Sequence, residues 1–110
     1  MIKYKNMTQH HYSHEDALQE RIDQRAEQPP RYAVFLLNDD YTTMDFVVQI
    51  LQTIFHKSSV EATRIMLHVH KKGKGLAGVY SREIAETKID TVHSMAREHE
   101  FPLKCSMEKE

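Results

Sequence analysis

The chain has 110 residues, 40% of them apolar and 28% charged, with fifteen Lys and Arg against sixteen Asp and Glu; this suits one small domain and excludes a multi-domain enzyme. Residues 1–30 carry four positive and five negative side chains and residues 31–110 carry eleven of each, so neither part has the excess of positive charge that general nucleic-acid binding requires. No apolar run approaches the roughly 20 residues of a membrane span, the N-terminus is no signal peptide, and the single cysteine, Cys105, forms no internal disulfide and fits a reducing, cytoplasmic compartment.

Met1–Ser13 is polar and His-rich without periodicity, and Pro29-Pro30 closes the segment. Between them Leu18, Ile22 and Ala26 recur every fourth residue, a stripe too thin to offset its ordering cost. Residues 1–30 read as a mobile extension and 31–110 as the domain. Tyr32–Leu37 is a nearly continuous apolar run, the pattern of a buried strand, and Asn38-Asp39-Asp40 breaks it. Thr42 with Asp45 reads as a capping box opening a helix to about His56, with Met44, Val47, Val48, Leu51, Ile54 and Phe55 on its apolar face. Ser58 and Glu61 open a second helix lined by Ala62, Ile65, Met66 and Val69, with Gly73 as its C-terminal stop. Leu76–Tyr80 reads as a second strand. Ser81 caps a third helix to about His99, with Ile84, Ala85, Ile89, Val92, Met95 and Ala96 inward, and Leu103–Met107 is a last strand after Pro102. The order β-α-α-β-α-β predicts an α/β (α+β) sandwich, three helices on one face of a small three-stranded sheet.

Asn38-Asp39-Asp40-Tyr41-Thr42 places three polar acceptors where a buried strand ends and a helix begins. Two readings are open: a turn held by Asx-type backbone bonds, or a site for a cation or hydrogen-bond donor. Met66, Val69 and His70, at i, i+3 and i+4, share a helix face. They read either as core with a histidine at its edge or as a pocket apolar in depth and polar at its mouth. Asp39 or Asp40 with His70 would make an acid–base pair for a small hydrolase, but no nucleophile elbow, phosphate loop or metal motif accompanies them. His10, His11 and His14 lack a cysteine and a fourth ligand, so no metal site is expected. His68 points to a different face from His70, and Lys71, Lys72 and Lys74 read as a solvated loop.

The motifs Leu37-Asn38-Asp39-Asp40-Tyr41-Thr42-x-Met44-x-Phe46-Val47, Met66-Leu67-x-Val69-His70, Gly78-Val79-Tyr80 and Ala85-Glu86-Thr87-Lys88, in that order, resemble the ClpS family of bacterial adaptors for N-degron proteolysis. The resemblance covers residues 31–110. It implies a monomeric recognition module with no catalytic activity and no cofactor, which binds proteins beginning with Leu, Phe, Tyr or Trp and hands them to the ClpA unfoldase of the ClpAP protease. By the same resemblance, Asn38, Asp39 and His70 hold the substrate's α-amino group. Thr42, Met44, Val47, Met66, Val69 and Leu103 form the hydrophobic pocket, Glu83 and Lys88 contact the N-terminal domain of ClpA, and the extension engages the unfoldase. Many family members carry proline where this chain has Thr43, which implies a looser pocket rim. The hydrolase using Asp39, Asp40 and His70 stands as the alternative. A ribosome-associated module, suggested by the family's likeness to a ribosomal stalk domain, is disfavoured by the balanced charge.

Overall fold

The computed structural model describes residues 29–110; all but the last two residues of the segment read as a mobile extension, its three histidines included, lie outside the described residues. Six elements follow in the expected order: β1 (Arg31–Leu37), α1 (Met44–Thr53), α2 (Ser59–Lys72), β2 (Lys74–Ser81), α3 (Arg82–Glu98) and β3 (Lys104–Lys109). The sheet is antiparallel with β1 in the centre, in the order β2-β1-β3. Alternation along β1 gives the sheet its two faces: Val34 and Leu36 are fully buried, whereas Phe35 and Leu37 are half-buried on the outer side. The helices cover the Val34 and Leu36 face. Their apolar stripes complete the core with Phe46, Val47, Ile50, Leu51, Ala62, Ile65, Met66, Val69, Val92 and Ala96.

Helix α2 lies against β2, and one glycine sets how closely. A Cβ built on Gly75 would stand 2.6 Å from Val69 Cγ2, so only glycine lets the C-terminal half of α2 settle at this depth. Ala77 then forms a bulge: Val34 pairs with Gly78 but Phe35 pairs with Leu76, which leaves Ala77 as the extra residue of β2. It is fully buried.

Several helix boundaries differ from the sequence reading. The N-cap of α1 is Thr43, whose Oγ1 accepts from Phe46 N at 3.2 Å; Thr42 is instead engaged by Asp39. The helix ends at Thr53, short of His56. His56 takes the left-handed conformation (φ 58°) and Lys57 N–H reaches back to Leu51 O at 3.0 Å, which satisfies a carbonyl of the last turn. Helix α2 is capped by Ser58, whose Oγ accepts from Glu61 N at 3.1 Å. The Glu61 carboxylate pairs with Arg64 rather than reaching back to the cap. Gly73 ends the helix at φ 90° as its sequence suggested. Lys71 and Lys72 belong to its last turn and Lys74 opens β2, bound to Glu108 at 2.7 Å, so they form no loop. Ile84 is half exposed (50%). It stands one residue, hence about 100°, off the seam that Ala85, Ile89, Val92 and Ala96 turn inward.

Candidate functional site

The junction between β1 and α1 is built around one carboxylate. Asp39 Oδ1 accepts from Tyr41 N at 2.8 Å and from Thr42 N at 2.7 Å, and Oδ2 accepts from the Thr42 hydroxyl at 2.7 Å. Partial burial pushes this carboxyl up, but the bonds from Thr42 and Tyr41 outweigh it and hold Asp39 below the ordinary carboxylate value. Asp39 is therefore an anion that shapes its own loop. The turn reading of this segment is correct. It does not exclude the other, because an ionised carboxylate has about four acceptor positions and three are occupied.

The loop is also tied to the end of α2. Asn38 N–H donates to Gly73 O at 2.9 Å, and Gly73 N–H closes on Val69 O at 2.8 Å. This hook sets Asn38 beside the last turn of α2, where His70 stands. The two segments, some thirty residues apart, thus enclose a cavity of about 270 Å³ lined by Asn38, Asp39, Asp40, Thr42, Met44, Val47, Met66, Val69 and His70. Val47, Met66 and Val69 are buried, Asn38, Asp40 and His70 are exposed, and Met44, the first residue of α1, stands at the rim with 44% exposure. The cavity is apolar within and polar at the mouth. At that rim the Thr43 hydroxyl supplies the helix cap, a bond a proline has no side-chain acceptor to make.

Eight of the nine residues placed at the pocket by resemblance line this cavity. Leu103 does not. It is 2% exposed and belongs to the buried cluster that includes Val47, Met66 and Val69, behind the wall rather than in it. Asp40, a member of the acceptor cluster and a hydrolase candidate but not one of the residues placed at the pocket by resemblance, also lines the mouth. The signal was the Asp39-to-Thr42 spacing, which commits the first aspartate to the turn and leaves the second exposed. Glu83 is exposed in the first turn of α3. Lys88 is half-buried: its Nζ donates to Ile54 O at 2.7 Å, closing the C-terminus of α1, and lies 5.2 Å from the Tyr80 ring centroid.

Catalytic chemistry has little to work with. Burial pushes the Cys105 thiol up to about 12, so it stays a thiol. Among the described residues no group of three His, Cys, Asp or Glu could hold a metal ion, and no helix is long and apolar enough to cross a membrane.

Comparison with known proteins decides the family. Residues 27–106 match the model for the ATP-dependent Clp protease adaptor protein ClpS. The chain belongs to the ClpS family. It is 64% identical over 87 residues to the ClpS adapter of Desulfatibacillum aliphaticivorans, covering 79% of this chain and 84% of that protein. To the ClpS adapter of Desulforapulum autotrophicum it is 59% identical over 90 residues, 82% of this chain and 86% of that one. Among solved structures, Agrobacterium tumefaciens ClpS2 bound to L-phenylalaninamide superposes with a TM-score of 0.73 at 38% identity, covering 76% of this chain and all of that one. ClpS proteins are adaptors of the Clp protease and not enzymes, so the hydrolase alternative is set aside.

Proposed function

We propose that this ClpS-family adaptor binds proteins whose first residue is Leu, Phe, Tyr or Trp and delivers them to the ClpA unfoldase of the ClpAP protease. The observation that carries the reading is the cavity itself: an apolar wall of Val47, Met66 and Val69 under a mouth bearing Asn38, Asp39, Asp40 and His70. At about 270 Å³ it falls just below the roughly 300–1,000 Å³ of pockets for drug-sized ligands, a size for one large side chain. The L-phenylalaninamide bound by the Agrobacterium relative carries the same two features, a free α-amine and an aromatic side chain.

The α-ammonium is a cation with three donors. The Asn38 side-chain carbonyl, the remaining acceptor position of Asp39 and a neutral His70 nitrogen are its partners, and exposed Asp40 adds negative potential at the mouth. Burying a Leu or Phe side chain against the wall contributes about 1.5–3 kcal/mol. Met44 and Thr42 flank the entrance, and Leu103 supports the floor from behind. Glu83 lies on the surface that meets the N-terminal domain of ClpA. Lys88 serves that surface by holding the end of α1 against α3. Residues 1–30 engage the unfoldase during hand-over. The adaptor acts as a monomer in the cytoplasm.

Titration calorimetry with a Phe-initiated peptide and its N-acetylated twin tests this reading. Acetylation removes the charge and most donors and leaves acceptors without partners, at about 1–3 kcal/mol each. At least a hundredfold loss of affinity is expected, and equal binding of the two peptides would overturn the assignment.

A further inference from the structure

A second concavity lies on the opposite flank of α2, about 240 Å³ in volume, between that helix and β2. Its floor is Ile65, Leu76, Ala77 and Gly78, and Lys57, Glu61, Arg64 and His68 stand around it. Among the described residues the order β2-β1-β3 leaves one side of β2 unpaired; the side chain of Leu76, paired with Phe35, faces the outer side of the sheet. The helix spacing continues the charged row: Glu61, Arg64, His68 and then Lys71 and Lys72 follow one face of α2, with Lys57 just before it. With histidine neutral, this row carries a net of three positive charges. Within this row, and counting carboxylates of the described residues, only Arg64 has one at ion-pair distance, that of Glu61. Lys57, Lys71 and Lys72 have none.

The chain outside the described residues has the complementary character. Residues 15–27 hold five carboxylates and two arginines, a net of three negative charges, with Leu18, Ile22 and Ala26 interspersed. The chain also leaves the domain in the right place. Arg31 pairs with Ser81, and Gly78 pairs with Val34, so Arg31 lies about 10 Å along β2 from the cavity floor and the chain departs one residue beyond it. A residue ten positions upstream reaches at most about 35 Å, which spans the whole groove. Tethering at this range gives an effective concentration on the order of millimolar, so a weak contact is populated.

We propose that the acidic segment Glu15–Glu27 docks on its own domain in the groove between α2 and the outer edge of β2, held by Lys57, Arg64, Lys71 and Lys72. Docking stores the extension on the flank opposite the substrate cavity, and the unfoldase would have to displace it. That consequence rests on the delivery reading, whereas the docking does not.

The test uses the full chain with a nitroxide on Ala17→Cys. Cys105 is buried and does not take the label. Amide signals of His68, Leu76, Ala77 and Gly78 should lose at least about half their intensity relative to the reduced label, while Ser106 and Glu108 on the far strand keep theirs. Lys57→Glu with Lys72→Glu, both at exposed or half-exposed positions, should abolish the loss, and adding Glu20→Lys with Asp23→Lys should restore it. Equal broadening at both sheet edges, no broadening, or broadening indifferent to charge reversal would overturn docking. Broadening that arises between a labelled chain and a separate isotope-enriched chain would assign the groove to a second copy and overturn it as well. A chain that docks its extension but binds acetylated and free peptides alike would sink the function and leave this inference standing.

Discussion

Thr42 gives both of its donors to a single carboxylate, its N–H to Asp39 Oδ1 and its hydroxyl to Asp39 Oδ2, each at 2.7 Å. The residue at the centre of the proposed ammonium site is therefore also the residue that shapes it, so its loss acts on stability and binding together. Asp39→Ala should lower stability by about 1–2 kcal/mol, since two backbone N–H groups and a hydroxyl lose their acceptor in a partly solvated loop, and affinity for a Phe-peptide at least tenfold. Asp40→Ala should weaken binding and leave stability within about 0.5 kcal/mol. Urea unfolding and calorimetry separate the two. Because the Asp39 carboxyl is held below its ordinary value, its contribution is complete above about pH 4 and is lost as pH falls through the folded-state value.

Met44 at the rim gates shape. A β-branched first residue carries a second heavy atom on Cβ, stiff at χ1, which would be set against Met44. Ile and Val peptides should bind at least about tenfold more weakly than Leu, or roughly 1.4 kcal/mol, and Met44→Ala should close most of that gap. An unchanged Leu-to-Ile ratio in the variant would place the gate at another residue.

Gly75 controls the site without touching it. An added Cβ would meet Val69 Cγ2 at 2.6 Å, and Val69 cannot rotate freely out of the way. Gly75→Ala should cost about 1–3 kcal/mol, as overpacking does, and weaken peptide binding by moving the Val69 wall. Adding Val69→Ala removes the clash, so the double variant should be more stable than the two single costs predict. A double-mutant cycle measures that coupling directly, and strict additivity would show that α2 shifts instead.

His93 links α3 to the edge strand β3: its Nε2 accepts from Cys105 N at 3.0 Å, a role only a neutral imidazole fills. Burial, helped by Lys104 and Arg97 and opposed by Asp90, holds this histidine below its ordinary value. Between the folded value and about 6.5 the unfolded chain binds the extra proton, so stability rises with pH across that window and is complete above it. Urea midpoints at pH 5, 6 and 7 should show a steeper acid decline for the natural chain than for His93→Gln. Parallel profiles would mean that His93 binds its proton equally well in the folded and the unfolded chain.

The sequence alone determined the order of elements and most caps, because those depend on neighbours within a few residues: Gly73 stops α2 through its own left-handed φ, and Ser58 and Ser81 bond amides three residues on. It also brought the cavity into view as two candidate halves, since Met66, Val69 and His70 share a face by helical geometry alone. The tertiary structure decided everything that rests on partners far along the chain. Asn38 meets Gly73 across the β1–α2 junction, which joins the halves into one site. Lys88 reaches Ile54, and no local pattern announces a lysine that caps another helix. Thr42 and Thr43 both suit an N-cap by composition, and the choice fell to Thr43 because Asp39 holds Thr42 from the other side. Leu103 sits in the core cluster with Val47, Met66 and Val69, yet which of them reaches the cavity depends on how deep α2 settles over Gly75. That depth is a distance between two elements, and a one-dimensional pattern carries no record of it.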